Sequence, residues 1–434
     1  MKKKCYIMLL MSFMCARAFV DSDRLFFCLT EASDQEPVFS DSDDERFLEE
    51  LENDQALEPF QERDEQGWYE LRNACALLQE ENPDYNRIHQ SFERLVGPGH
   101  ERELQGLAHY NLGLLYLDGR GVSQDMEQAQ AHFNRALENE QLPLNVRASV
   151  QFGQGRIYYT IALSQDDQHE RARLFSEARR LFSELVDDTD ARSSDRAQAN
   201  YMLGMLTLKG RGVARDYSWA RKYFERATEP NSGLPLADCI TAHSTLAALY
   251  FNGAGCRKDY GEAVRHAQFV KGNSTRAPGM LPFANYMLGI MYCKGSVDLE
   301  KNHEKARECL EQALSSDSII SQQRCNVQAS LGDIYFKQGN LYAAKKLLES
   351  VVSQRELLDS RTYVAAQYTL AQVYCDTDLA VGQNISQARV YFDAVARSEC
   401  DISATMRSGA QKTVRLIDRL SDTENRPKKR ARLR

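Results

Sequence analysis

Ala108-His109-Tyr110-Asn111-Leu112-Gly113-Leu114-Leu115-Tyr116-Leu117-Asp118-Gly119-Arg120-Gly121-Val122-Ser123-Gln124-Asp125, followed by Ala129, Phe133 and Ala136, is the stretch on which the fold is read. Reduced to A-x3-L-G-x2-Y and G-x-G-V-x2-D-x3-A, it returns at Ala199, Leu203, Gly204, Gly210, Gly212, Val213, Asp216, Ala220, Phe224 and Ala227. Weaker copies start at Ala242, Ala284, Val327 and Ala366, and their tyrosines Tyr250, Tyr292, Tyr335 and Tyr374 stand 42, 43 and 39 residues apart. A period of that length marks helix-turn-helix units, each of which needs a neighbour to bury its core. The expected fold is all-α, a solenoid of about seven to eight hairpins.

Each motif position has a mechanical reading. Gly113 lets the second helix approach the first, and Tyr116 fills the volume beyond it. Gly119 supplies the left-handed residue that ends the first helix. Asp125 is expected to cap the second helix, with Gln128 completing a capping box, as Glu262 would for Asp259 and Gln387 for Asn384. Ala129 and Ala136 keep the hairpin tight. Upstream, Trp68 to Glu80 reads as a helix and Asn82-Pro83 as the start of another, with Ile88, Phe92 and Leu95 on its apolar face. The last helix, about Ser403 to Leu420, presents Met406, Ala410, Val414 and Ile417 as the inner face of a terminal cap.

The 434 residues are 43% hydrophobic and 27% charged with a formal net charge of −8, a folded chain whose balance argues against general nucleic-acid binding. The charge is unevenly placed. Asp21 to Gln66 holds 17 acidic residues against Arg24, Arg46 and Arg63, whereas Arg426, Lys428, Lys429, Arg430, Arg432 and Arg434 crowd the end. Residues 19–66 and 421–434 are therefore expected to be disordered tails around a repeat domain at 67–420. Lys2 to Lys4, the apolar run Cys5 to Cys15 and Ala16-Arg17-Ala18 have the order of a secretory signal peptide over 1–18. No other segment is apolar enough to cross a membrane. The nine cysteines beyond Cys15 include no C-x2-C pair, which argues against a zinc site and a disulfide framework.

The motif residues resemble the Sel-one-like repeat family, relatives of the tetratricopeptide repeats, over roughly Gln66 to Leu420. Gly339-Asn340-Leu341-Tyr342-Ala343 is more similar to a tetratricopeptide turn. Between Val150 and Val186 the unit is degenerate, with Gln154 in place of Leu and a charged insertion around Asp166 to Arg171. The resemblance implies a right-handed superhelix and an adaptor that holds protein complexes together, often in secretory compartments or bacterial envelopes. One secreted branch bridges the helices of each repeat by disulfides. Here the unit with Cys293 and Cys309 carries a cysteine on both helices.

Functional residues have to be told apart from those the repeat itself demands. Gly119/Gly121, Gly210/Gly212 and Gly253/Gly255 look like phosphate loops, but they recur between helices and read as structural turns. His169-Glu170 and His303-Glu304 lack the second histidine of a helical zinc site, and there is no G-x-S-x-G elbow. The eight histidines fall singly, and neither an enzyme nor a cofactor or metal is expected. A second stripe on the first helices is the candidate site: Tyr110, Leu114 and Leu117, then Tyr201, Met205 and Leu208, then Tyr286, Ile290 and Cys293, and Tyr368 in the last unit. In a superhelix whose first helices line the concave side, such tyrosines would hold a partner peptide in a groove. They would serve equally to pack unit against unit.

The function expected is a non-catalytic protein-binding scaffold or adaptor, exported to the periplasm, cell envelope or exterior. Two alternatives stand beside it. One is a secreted hydrolase of the cysteine-rich repeat kind; the other is a bacterial effector addressed to a host nucleus by Pro427-Lys428-Lys429-Arg430-Ala431-Arg432.

Overall fold

The structure is a computed structural model that describes residues 64–431 apart from 79, 81, 296–298, 317–318, 377–381 and 401. The expected signal peptide and almost all of the acidic segment lie outside the described residues. Two compact units divide the chain, Met1–Lys258 and Asp259–Arg434. Among the described residues there are seventeen α-helices and no strand.

In the first unit the helices are α1 (Glu65–Leu78), α2 (Tyr85–Leu95), α3 (Arg102–Asp118), α4 (Met126–Leu137), α5 (Leu144–Ser164), α6 (Gln168–Val186), α7 (Ser193–Lys209), α8 (Tyr217–Ala227) and α9 (Leu236–Asn252). In the second they are α10 (Tyr260–Gly272), α11 (Leu281–Lys294), α12 (His303–Leu314), α13 (Ser321–Lys337), α14 (Leu341–Val352), α15 (Ser360–Asp376), α16 (Gly382–Arg397) and α17 (Ala404–Ala431). Odd-numbered helices are the first helices of the repeats and even-numbered ones the second. Each packs chiefly on the helix next to it in sequence, so seven hairpins close within the units and stack as an α-solenoid.

The motif glycines explain this packing. A Cβ at Gly113 would lie 2.4 Å from the Phe133 ring, and one at Gly204 would lie 2.8 Å from Phe224. Gly289 and Gly332 meet Leu310 and Leu348 in the same way, so the first helix of each hairpin rests its glycine on a large side chain of the second. The paired glycines of the turn divide two tasks. Gly119, Gly210 and Gly253 close their helices at φ 70°, 68° and 71°. Gly121 and Gly255, also left-handed, press on the preceding second helix: a Cβ at Gly121 would lie 2.3 Å from Tyr85 Cβ, and one at Gly255 would lie 2.2 Å from the Ser218 nitrogen.

The motif tyrosines tie neighbouring repeats together. Tyr335 Oη donates to Glu311 at 2.7 Å, Tyr374 Oη to Glu349 at 2.6 Å and Tyr250 Oη to Glu225, in each case a residue of the preceding second helix. Tyr116 faces His89 at 3.2 Å, and Tyr292 accepts from Gln268 at 3.1 Å. Burial, then the hydrogen bond to glutamate, pushes Tyr250 and Tyr335 up to about 12 and Tyr374 further in the same direction.

Several local expectations are corrected. α2 is capped by Asp84, which accepts from the Arg87 N–H, rather than by Asn82; a carboxylate placed next to the helix start reaches the free donors directly. Asp125 accepts from the Glu127 and Gln128 N–H groups, but its own N–H goes to the Tyr116 carbonyl at 3.0 Å, so Gln128 completes no box. Glu262 likewise turns to Arg265 at 2.6 Å. α16 begins at Gly382, ahead of the expected cap Asn384. The charged insertion near Asp166 lengthens α6, with Asp167 as its cap. α17 buries Ala410 and Ile417 as a cap helix should, but its backbone stays helical to Ala431, past the Leu420 expected as its end. The Lys, Arg and Glu residues of that stretch are good helix formers, which charge counting overlooks.

Candidate functional site

The tyrosine stripe on the first helices is covered. Tyr201 is 1% exposed, Tyr286 4% and Tyr110 7%, and Leu117, Met205, Leu208 and Ile290 are buried with them. Leu114 and Tyr368 are partly buried and packed against the cores of their units. The rings rest on the aromatic residue of their own second helix: Tyr110 on Phe133 at 6.4 Å, Tyr201 on Phe224 at 5.9 Å and Tyr368 on Phe392 at 5.6 Å. Burial, reinforced by the charge of Asp238, pushes the Tyr201 phenol well up. Burial at this level supports packing of unit against unit for Tyr110, Leu117, Tyr201, Met205, Leu208, Tyr286 and Ile290, the second of the two roles the stripe could serve. Cys293 is half-buried, and the cysteines among the described residues are free thiols.

Exposed large apolar side chains stand on both kinds of helix, Tyr69 on α1 and Leu144 on α5 among them, and the second helix α8 gathers several aromatic and polar side chains on one face. On α8, Ala220, Phe224 and Ala227 point inward, while Trp219, Lys222 and Arg226 are exposed one turn apart. Trp219 is 50% exposed, Tyr223 lies 5.9 Å from it, and Lys222 Nζ sits 4.4 Å above its ring centroid. Tyr342 on α14 is 81% exposed. Such aromatic side chains on a rigid helix are the residue types that anchor protein interfaces.

Five segments of this architecture, 106–140, 197–229, 242–268, 282–318 and 364–397, match the Sel1 repeat family. The chain carries five Sel1 repeats. They include the copy starting at Ala366 but not the one at Val327, and the degenerate α5/α6 hairpin also stays outside them. Solved structures similar to this chain include two helical-repeat proteins. A Sel1 repeat protein from Oxalobacter formigenes is 22% identical with a TM-score of 0.36, covering 66% of this chain and 98% of its own. The second is c5321, a protective antigen present in uropathogenic Escherichia coli strains and displaying an SLR fold. It is 18% identical with a TM-score of 0.31, covering 81% of this chain and 91% of its own. No curated protein matches.

Within the first Sel1 repeat the structure assembles a cluster that sequence reading missed. His109 Nδ1 on α3 and His132 Nδ1 on α4 are 3.0 Å apart, Tyr116 stacks on His132 at 5.5 Å, and His89 of α2 meets Tyr116 edge-on at 5.6 Å. The histidines expected to fall singly thus form a column through three helices. Burial first, then the neighbouring His132 and Arg135 charges, lowers His109 to about 4. Burial also lowers His132, with Glu93 opposing and Arg135 and His89 assisting. Among the described residues no group of three or more His, Cys, Asp or Glu is arranged to hold a metal ion. Nor is any helix among them long and apolar enough to cross a membrane.

Proposed function

We propose that this Sel1 repeat protein is a non-catalytic scaffold that binds protein partners on the outward faces and turns of its second helices. Sel1 repeats typically serve as protein-interaction scaffolds, which supports the reading at the level of the family. The observation that carries the finer statement is the placement of Trp219 and Tyr342, large aromatic side chains left exposed on α8 and α14 while Tyr110, Tyr201 and Tyr286 of the first-helix stripe are enclosed. Photo-crosslinking residues placed at positions 219 and 342, and at 114 and 368 on first helices, test it in extracts of the native organism. Capture of a common protein through the second-helix positions is the expected result. Capture through 114 and 368 alone, or through none of the four, would count against it.

Export is part of the same proposal and rests on the basic, apolar, small-residue order of the first eighteen residues. The mature chain should begin at or near Phe19 by mass spectrometry. An intact Met1 terminus recovered from cells would return the protein to the cytoplasm.

A further inference from the structure

We propose that the acidic stretch Asp21–Glu62 of this chain docks on the aromatic and basic face of α8 in its own molecule, occupying that face when no partner is bound. This goes beyond the scaffold reading, which does not require it.

The receiving face differs from those of α6, α10 and α12. On those helices outward arginines pair with an acid of the same helix, Arg173 with Glu170 at 2.6 Å, Arg265 with Glu262 at 2.6 Å and Arg307 with Glu304 at 2.7 Å. On α8 the one helical acid, Glu225, is engaged by Arg221 at 2.6 Å and by Tyr250. Lys222 and Arg226 project beside Trp219 and Tyr223, and Arg215, at the entrance to the helix, lies 5.3 Å over the Tyr217 ring. The outcome is a half-exposed tryptophan flanked by cations, with Glu229 just past the helix end as the opposing charge.

The stretch Asp41–Glu62 has the complementary composition, with Phe47, Leu48, Leu51 and Phe60 interleaved among its acids. A ligand of that kind supplies apolar side chains for the tryptophan and carboxylates for the cations at once. The tether is short and lies in the same unit. The chain enters the first unit at Asp64, whose N–H donates to Glu101 at 2.6 Å and whose carboxylate meets His100 at 2.5 Å. The forty or so residues before it could reach on the order of 100 Å fully extended. A tether of that kind gives an effective concentration of about a millimolar, so weak contacts are enough to occupy the face.

Trp219 is itself the reporter, because the only other tryptophan is Trp68. In the full chain carrying Trp68→Phe, acrylamide quenching of Trp219 is measured at low salt and in 0.5 M NaCl. The same measurement is made with Asp41, Asp43, Asp44, Glu45, Glu49 and Glu50 changed to their amides. Docking predicts that both salt and the amide substitutions raise the quenching constant about twofold or more. Equal quenching in all conditions overturns it, and so does protection that rises with protein concentration, since that would assign the segment to a second copy. Trp68 donates to Glu101 at 3.1 Å, so its replacement could loosen α1. Limited proteolysis of chains that retain Trp68 is the independent check: Lys222→Glu with Arg226→Glu should speed cleavage within residues 21–62 several-fold, and unchanged cleavage would overturn the docking. Either failure leaves the crosslinking test of partner binding standing, because that test does not use the acidic stretch.

Discussion

The first and second helices of these repeats differ in how much of their surface is enclosed. On α7 every residue from Ala197 to Leu208 is buried, including Gln198, Asn200 and Thr207, whereas α8 encloses only Ala220, Phe224 and Ala227. A helix enclosed on all sides needs apolar or small residues all round, and one packed on a single face needs only a stripe. In this hairpin the first helix is therefore the inner one, whose side chains support the architecture, and the second carries the larger exposed surface. In a repeat protein a regular stripe is evidence of contact, but its regularity alone does not say whether the contact is a neighbouring repeat or a partner.

Truncation is the strongest way to break this comparison. Tyr201→Ala removes a ring enclosed against Phe224, and large-to-small changes of this size in a core cost about 3–5 kcal/mol. Trp219→Ala removes a larger ring from an exposed face and should change stability by about 0.5 kcal/mol or less. Thermal melts of the two variants should differ accordingly, with Tyr201→Ala melting far earlier. Equal midpoints would show that α7 is not the enclosed layer described.

Glycine substitutions sharpen the same contrast at smaller scale. A Cβ at Gly204 falls 2.8 Å from Phe224 inside a packed hairpin, so Gly204→Ala should cost about 1–3 kcal/mol by overpacking. At Gly272, which ends α10, a Cβ would meet nothing within 4 Å, so Gly272→Ala should be neutral or stabilise by up to about 1 kcal/mol. Denaturant midpoints should move in opposite directions or, at the least, only the first should fall.

How far the sequence carries depends on whether a residue's role is set locally or by its neighbours. Gly119 and Gly113 could be read correctly because a helix stop and a close approach each demand glycine within the motif, whereas the contact of Gly121 with Tyr85 lies outside it. Tyr110 and Tyr201 could be read either as groove or as packing residues, since their position on a helix face is local but the ring each rests on lies on the next helix. The Tyr–Phe spacing held the clue: Tyr110 and Tyr201 are each followed in the second helix by the aromatic residue they rest on. His89, His109 and His132 looked isolated for the same reason, although their separations of 20 and 23 residues match the step from one helix to the next. The choice of Asp84 over Asn82 as the cap of α2 turned on backbone placement, which neighbouring capping residues leave open.

Acid should act on the histidine column. Because His109 is lowered to about 4 from 6.5, the unfolded chain binds the proton more readily throughout that interval. Stability from this group is complete above about 6.5 and is lost as pH falls through about 4. The neutral variant His109→Gln should therefore lose less stability than the parent between pH 7 and pH 4, by about 1–2 kcal/mol after allowing for partial solvent access. Urea midpoints at the two pH values check this. Equal pH dependence in the two proteins would remove His109 from the acid response.

The smallest effect concerns the tyrosine ties between one repeat and the next. Tyr335 donates to Glu311 across from α13 to α12, and Tyr335→Phe keeps the ring while deleting that bond, at a cost of about 1 kcal/mol. The pH response has the opposite sign to that of His109. With its pKa raised to about 12, the Tyr335 contribution is complete below about 10 and disappears as pH rises through 12, where the phenolate would face the Glu311 carboxylate. The parent should lose its advantage over Tyr335→Phe across that alkaline interval, measured as converging urea midpoints. A gap that persists at pH 12 would mean that the ring packing, rather than the hydrogen bond to the preceding second helix, joins these two repeats.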